Sequence, residues 1–283
     1  MTIAEAYLLM RHALRDIYTD TESALISRFV FEDLIDRNIR SARIMDANEM
    51  HIFQEAIRRL KQHEPWQYVC GMADFYGLKF KVSNAVLIPR PETEELVDHA
   101  LEVLKSKGQS RVLDVGTGSG AIIIALAKSL QMTEAVGLDV SEQALSIARY
   151  NAHLHKSDTQ FICLDILDKT QWAPLGRFDL VVSNPPYIGT EESATMARHV
   201  LEYEPHLALF AHGDVLKFYR ALAEFTALHG NDHAHLLVEI NENYGKEVAE
   251  IFRRRGLEQV AIIKDMQGKD RIVSGVKQNQ DIQ

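Results

Sequence analysis

Residues 111–127 constrain this chain more than any other segment. An apolar run, Val112-Leu113-Asp114-Val115, leads into Gly116-Thr117-Gly118-Ser119-Gly120, and then into Ala121-Ile122-Ile123-Ile124-Ala125-Leu126-Ala127. That order reads as a buried strand, a tight glycine turn and the apolar start of a helix, which is one βα unit of a parallel sheet. From about residue 90 the same alternation continues. It predicts strands at 111–115, 135–140, 159–164, 178–183, 233–240, 259–265 and 270–276. Only Met266-Gln267-Gly268-Lys269 separates the last two, too short a link for a crossover helix, so they must run antiparallel. The expected fold is α/β: a mostly parallel seven-stranded sheet with helices on both faces and a terminal antiparallel hairpin. In such a sheet ligands bind beyond the carboxyl ends of the strands.

The glycine turn satisfies G-x-G-x-x-G/A, a pattern shared by loops that cradle nucleotide cofactors. The next strand, Ala135-Val136-Gly137-Leu138-Asp139, ends on an acid 23 residues after Gly116, where a carboxylate can accept the hydroxyls of an adenosine ribose. These residues ask for an adenosine-containing cofactor without deciding between NAD and S-adenosyl-L-methionine. Two features favour the latter. Asp114, just before the glycines, suits a ligand ammonium better than a pyrophosphate. The second is Asn184-Pro185-Pro186-Tyr187, which follows the apolar run Phe178-Asp179-Leu180-Val181-Val182-Ser183. Two prolines cannot continue a central strand, so the backbone turns rigidly at the strand's carboxyl end. The Asn184 side-chain oxygen and the Pro185 carbonyl can accept the two hydrogens of a planar NH2 group, and Tyr187 can cover its flat face. Such a turn has no part in hydride transfer and an evident one in holding an amine acceptor.

Outside this region the chain reads as two smaller parts. Residues 1–72 show helical periodicity (Phe31, Leu34, Ile35; Met50, Phe53, Ile57, Leu60) and two capping boxes, Thr2-x-x-Glu5 and Asp46-x-x-Glu49. Pro65 is expected to end the last helix. Residues 73–89 read as a β-hairpin connector comprising Phe75–Val82 and Val86-Leu87-Ile88, and 90–277 as the catalytic domain; a polar, frayed tail follows Val276. The net charge of −9 excludes a broad basic footprint for nucleic acid. The 12 histidines and two cysteines show no metal-binding spacing. Cys70 and Cys163 form no CxxC pair and read as thiols of a reducing compartment. Neither a signal peptide nor a membrane span is expected.

Asp-x-Gly-x-Gly-x-Gly with Asn-Pro-Pro-Tyr resembles the class I S-adenosylmethionine-dependent N-methyltransferases, a Rossmann-like fold. Further segments resemble the HemK/PrmC family, the release-factor glutamine methyltransferases. These are Pro65-Trp66-Gln67-Tyr68 with Phe75-Tyr76-Gly77; Leu87-Ile88-Pro89-Arg90-Pro91-Glu92-Thr93-Glu94; Tyr203-Glu204-Pro205 with Ala208-Leu209; and Asp270-Arg271-Ile272-Val273. The resemblance spans about residues 60–276, and the helical N-terminal part agrees in kind. Two departures stand out: Phe210-Ala211-His212-Gly213 replaces the family's usual Gly-Gly, and Glu239-Ile240-Asn241-Glu242-Asn243-Tyr244 lacks the Gly and Gln of Glu-x-Gly-x-x-Gln.

The resemblance implies transfer of a methyl group from S-adenosyl-L-methionine to the N5 amide nitrogen of the glutamine in the Gly-Gly-Gln motif of class 1 peptide chain release factors. It implies Asn184, Pro185 and Tyr187 at the chemistry and Pro186 beside them for substrate. For the cofactor it implies Gly116, Thr117, Gly118, Ser119, Gly120, Asp139 and Asn184, with Asp165-Ile166 or Trp172 on the adenine side. Arg90 and Glu94 either shape the pocket or serve as a domain-junction pair and helix-start charges. The helical domain is expected to dock the release factor. A cytoplasmic monomer without metal, membrane contact or stable nucleic-acid binding completes the expectation. The alternatives are a ribosomal-protein glutamine N5-methyltransferase, an adenine-N6 nucleic-acid methyltransferase, or a non-catalytic module that kept the fold.

Overall fold

A computed structural model describes residues 1–105, 107, 109–130, 134–189 and 196–279. Seven strands form one sheet: β3 (Arg111–Val115), β4 (Glu134–Asp139), β5 (Gln160–Cys163), β6 (Phe178–Ser183), β7 (Gly230–Glu239), β8 (Leu257–Lys264) and β9 (Asp270–Lys277), after a separate hairpin of β1 (Met72–Phe75) and β2 (Leu78–Lys81). Their order across the sheet is β5-β4-β3-β6-β7-β9-β8. The first five are parallel, whereas β9 pairs antiparallel with both β7 and β8. The class I methyltransferase fold expected from the sequence is therefore present. The chain runs outward from β3 through β4 to β5, then returns to lay β6 on β3's other side. That reversal makes the β3/β6 junction the topological switch point, where a parallel sheet opens a crevice for ligands.

Successive residues of the central strands are buried and enter the cores of the two faces in turn, as a sheet covered on both sides demands. Leu113, Val115, Val181, Leu236 and Val238 pack under α10 (Lys217–His229) and α11 (Gly245–Arg254), which follow α7 (Glu142–His155), α8 (Arg198–Tyr203) and α9 (His206–Leu209) in the chain. Val112, Leu180, Val182 and Leu237 pack under α5 (Glu92–Lys105) and α6 (Ala121–Ser129). The strand ends match the expected ones to within a residue or two, except that β7 starts at Gly230 and not at 233. The extra residues, Gly230-Asn231-Asp232, carry no apolar alternation; His233 lies at φ 57° and the β6/β7 register shifts between Gly230 and His235, so a bulge masks the strand's beginning.

The N-terminal helices α1 (Ile3–Ala13), α2 (Asp20–Leu34), α3 (Ala47–Leu60) and α4 (Trp66–Cys70) enclose their own apolar cluster around Met10, Phe31, Phe53 and Leu60. Both expected capping boxes form, and Thr19 with Glu22 makes a third. Pro65 does not end a helix. The preceding helix already stops at Leu60, and Pro65 caps the start of α4, where its missing N–H is no loss. Tyr76 (φ 50°) and Gly77 (φ 71°) supply the left-handed pair that a two-residue hairpin turn requires. Val86-Leu87-Ile88 is not part of that hairpin. Val86 and Ile88 are buried with Tyr68, Val82, Ala144 and Ile147, so their apolarity reflects packing and not strand pairing. The Tyr68 hydroxyl donates to the Val86 carbonyl (2.6 Å), and the Tyr203 hydroxyl donates to the Gln62 carbonyl (2.8 Å). These two bonds tie the helical part to segments bordering the switch point. Residues 280–283 of the expected polar tail lie outside the described residues.

Candidate active site

The glycine loop and the Asn-Pro-Pro-Tyr turn leave adjacent parallel strands on the same edge of the sheet. Val115 and Ser183 are register partners at the ends of β3 and β6, and the Ser183 hydroxyl donates to the Val115 carbonyl (2.7 Å). This buried bond pins the two loops together at their roots. A Cβ on Gly116 (φ 73°) would meet nothing nearer than the Asn184 carbonyl oxygen, at 4.0 Å. The space over Gly116 is thus an open cradle beside Asn184, as a ligand approaching the backbone needs. Gly120 differs: its Cβ would lie 2.8 Å from Ile124 Cδ1, so it is needed for packing at the helix start.

Asp139 is aimed by the loop it faces. One carboxylate oxygen accepts the Gly118 N–H and the other the Ser141 N–H, each at 2.9 Å, while burial raises its pKa. The remaining lone pairs of both oxygens are available to ligand hydroxyls. Asp114 corrects an expectation. It is fully buried beneath the loop and accepts the Thr117 hydroxyl at 2.7 Å, so it braces the turn and does not face a ligand's ammonium. Burial pushes its carboxyl up to about 7. Ser119 is held by its carbonyl, which accepts from Asn151 Nδ2 at 2.9 Å.

The adenine-side candidates do not come together in one open surface. Asp165 closes a short turn by accepting the Leu167 N–H at 2.9 Å. Ile166 is buried. Trp172 is only 2% exposed, donates its indole N–H to the Ile166 carbonyl (3.0 Å) and meets Phe225 edge-on at 5.3 Å. Trp172 is a core residue, with no free face to lay over an adenine.

On the acceptor side, a cavity of ≈ 320 Å³ is lined by Asn184, Pro185, Tyr187, Leu87, Arg90 and Leu209, among others. Arg90 pairs with Glu204 at 2.5 Å, and the Ile88 N–H donates to the same carboxylate (3.3 Å). Arg90 is therefore both cavity wall and junction ion pair. Glu94 accepts the Tyr76 N–H (2.8 Å) and holds the hairpin turn. Behind the cavity lie two residues absent from the sequence-based candidates, Thr93 and Glu239. Asn184 Nδ2 donates to Thr93 Oγ1 (3.1 Å), the Thr93 hydroxyl donates to Glu239 Oε2 (2.7 Å), and the Tyr187 hydroxyl donates to Glu239 Oε1 (3.4 Å). Thr93 stood in a segment that resembles the family and Glu239 in one that departs from its pattern, but only folding reveals that residues 93 and 239 meet. Among the described residues, no cluster of His, Cys, Asp and Glu could hold a metal ion, and no helix is long and apolar enough to cross a membrane.

The family described as Methyltransferase small domain matches residues 94–216. The release factor glutamine methyltransferase of Lactococcus lactis is 38% identical over 274 residues, covering 94% of this chain and 99% of that protein. The chain belongs to the release factor glutamine methyltransferase family. A second member, from Streptococcus pneumoniae, is 41% identical over 233 residues, 80% of this chain and 79% of that protein. Among solved structures, the hMettl16 catalytic domain in complex with the MAT2A 3'UTR hairpin 6 superimposes with a TM-score of 0.57 at 14% identity, covering 86% of this chain and 87% of that one, which shows a shared fold. The cofactor of the family is S-adenosyl-L-methionine, and the open cradle over Gly116 beside the half-buried Asp139 carboxylate fits it. Asp139→Ala is expected to weaken binding of S-adenosyl-L-methionine by roughly 1.5–3 kcal/mol, the scale of hydrogen bonds to a charged group. Isothermal titration calorimetry measures this directly; unchanged affinity would remove Asp139 from the cofactor site.

Proposed function

We propose that this chain transfers the methyl group of S-adenosyl-L-methionine to the N5 amide nitrogen of the glutamine in the Gly-Gly-Gln motif of class 1 peptide chain release factors. The observation that carries this reading is the position of Asn184. It borders the cradle over Gly116 on one side and the cavity lined by Pro185 and Tyr187 on the other. The family to which the chain belongs supplies the acceptor.

S-adenosyl-L-methionine supplies an electrophilic methyl group, so the burden on the protein is to present a poor nucleophile. An amide nitrogen is poor because its lone pair is delocalised into the carbonyl, and no side chain deprotonates it near neutral pH. We assign Asn184 Oδ1 and the Pro185 carbonyl to accept its two hydrogens, and Tyr187 to cover its face. Holding the nitrogen in line can contribute several of the roughly 7–11 kcal/mol that orientation offers in favourable cases. As nitrogen pyramidalises and gains positive charge, the two acceptor dipoles bind it more strongly than they bind the planar amide. The surplus proton then leaves to solvent, and no buried base is needed. Gly116, Gly118 and Asp139 are the residues we assign to hold the cofactor.

The competing adenine-N6 reading asks for a basic surface to hold nucleic acid. The one arginine run, Arg253-Arg254-Arg255, is engaged at the end of α11: Arg253 and Arg254 with Glu250, Arg255 with Glu224. With a net charge of −9, this favours a protein acceptor over nucleic acid. Every assigned residue comes from one chain, so the reaction needs only a monomer, acting in the cytoplasm where release factors work.

We further assign residues 1–72 to docking. One glutamine side chain offers too little surface to select a protein, so selection must come from contacts remote from the amide. The bonds from Tyr68 to Val86 and from Tyr203 to Gln62 set the helical part beside the cavity. A chain beginning at Ala73 is expected to bind S-adenosyl-L-methionine normally and to methylate intact release factor far more slowly than the full chain. Equal rates would reduce the helices to a stabilising appendage. For the chemistry itself, Asn184→Ala is expected to abolish transfer to release factor at saturating cofactor while leaving cofactor affinity within a few-fold. Near-normal turnover of that variant, followed with methyl-labelled cofactor, would overturn the mechanism.

A further inference from the structure

The carboxamide of Asn184 has two faces of opposite character, an acceptor oxygen and a donor NH2. Only the oxygen can receive an N–H from a substrate amide. Something must therefore decide which way the group points. The Asn-Pro-Pro-Tyr turn cannot do so, because rotating a carboxamide by half a turn leaves its shape unchanged. The deciding contacts lie behind the cavity, in residues the transfer reaction does not touch.

Glu239 is the last residue of β7 and is almost wholly buried. Ionised, its carboxylate can only accept. Thr93 Oγ1, at 2.7 Å, must then spend its one proton on Glu239 Oε2. That leaves the Thr93 oxygen with lone pairs alone for its other neighbour, Asn184, at 3.1 Å. Asn184 must turn its Nδ2 toward Thr93. The chain of donors therefore runs one way, from Asn184 to Thr93 to Glu239, and Asn184 Oδ1 is left for the cavity.

We propose that Thr93 and Glu239 are positioning residues, a buried relay that fixes the Asn184 carboxamide with its oxygen toward the acceptor. This rests on the glutamine-methylation reading above. Protonation of Glu239 reverses the relay. A protonated Oε2 donates to Thr93 Oγ1, the Thr93 hydroxyl is freed to donate to Asn184, and the carboxamide turns its oxygen away from the cavity. The cavity then meets the substrate NH2 with another NH2, and neither can accept.

The groups around Glu239 hold it near this balance. Thr93 and Glu92 face it from the first turn of α5, Tyr187 from the turn after β6, and Arg271 from β9; the Tyr219 hydroxyl on α10 donates to its backbone carbonyl (3.2 Å). Burial, aided by the Glu92 charge, favours the protonated form, whereas the Thr93 bond, Arg271 and the Tyr187 hydroxyl favour the ionised form. The outcome is a carboxyl pushed up to about 7. The relay is thus set correctly above this pH and is lost as pH falls through it.

The test compares Thr93→Val, Thr93→Ser and Glu239→Gln in the full chain, with intact release factor as acceptor. Valine keeps the branched shape and removes the hydroxyl. It is expected to lower kcat by about 10²-fold, the scale of losing alignment at a reacting group, with affinity for S-adenosyl-L-methionine unchanged. Serine restores the hydroxyl and should bring kcat back to within a few-fold of wild type. The wild-type kcat should rise with pH through about 7 and level off above it, a limb absent from Thr93→Val, which lacks the hydroxyl, and from Glu239→Gln, whose side chain does not titrate. A Thr93→Val enzyme within about threefold of wild-type kcat would overturn the relay, since removing an orienting contact must appear in turnover. So would a serine variant as impaired as the valine one, because the hydroxyl would then not be what matters. Wild-type transfer to the release-factor glutamine is the internal control. If it is absent, the functional reading itself fails and the relay falls with it.

Discussion

The parallel pairing of β3 with β6 is the constraint on which the site depends. Four register pairs, Val112 with Leu180 through Val115 with Ser183, place the ends of two sequence-distant strands side by side on one edge of the sheet. A parallel pair cannot do otherwise, since both strands point the same way. Antiparallel pairing would send the glycine loop and the Asn-Pro-Pro-Tyr turn to opposite ends of the sheet. The Ser183 hydroxyl adds a buried bond to the Val115 carbonyl at the last rung, where the ladder would otherwise fray into loops. Methyl donor and amide acceptor are thereby assigned to neighbouring loops whose roots are locked together.

Buried polar groups concentrate at that edge. Asp114 with Thr117, Ser183 with Val115, and Glu239 with Thr93 and Tyr187 all lie at or just behind the strand ends. Burying carboxylates is costly, and both Asp114 and Glu239 are pushed up to about 7 by it. Their arrangement makes sense as support for loops that must hold one shape. Asp114 braces the glycine turn from beneath, and Glu239 with Thr93 backs the residue assigned to the acceptor. The cores on the two faces of the sheet, by contrast, are apolar and keep to strand periodicity.

What was legible in the sequence was local. Glycines flanked by a strand and a helix, two consecutive prolines after an apolar run, and a four-residue link between two strands each dictate a backbone outcome by their own sterics. The sheet and its ligand edge followed from them. The misreadings share a cause: they needed neighbours distant in sequence. Asp114 looked like a ligand group because the glycines follow it, yet folding buries it under Thr117. Trp172 looked free to cover an adenine, but Phe225 and the Ile166 carbonyl occupy its ring face and its indole N–H. Pro65 and Val86-Leu87-Ile88 were assigned by local rules, and tertiary packing gave them other roles. The contact between Thr93 and Glu239 spans 146 residues, and no periodicity announces it.

The central claim is that the group held beside the cofactor cradle is a side-chain amide, presented nitrogen first. The direct measurement is tandem mass spectrometry of a class 1 release factor after incubation with the full chain and methyl-labelled S-adenosyl-L-methionine, mapping the labelled atom within the Gly-Gly-Gln peptide. The account predicts a single methyl on the glutamine side-chain nitrogen. Label on another residue or on a backbone nitrogen, or an unlabelled release factor beside labelled DNA, would contradict it.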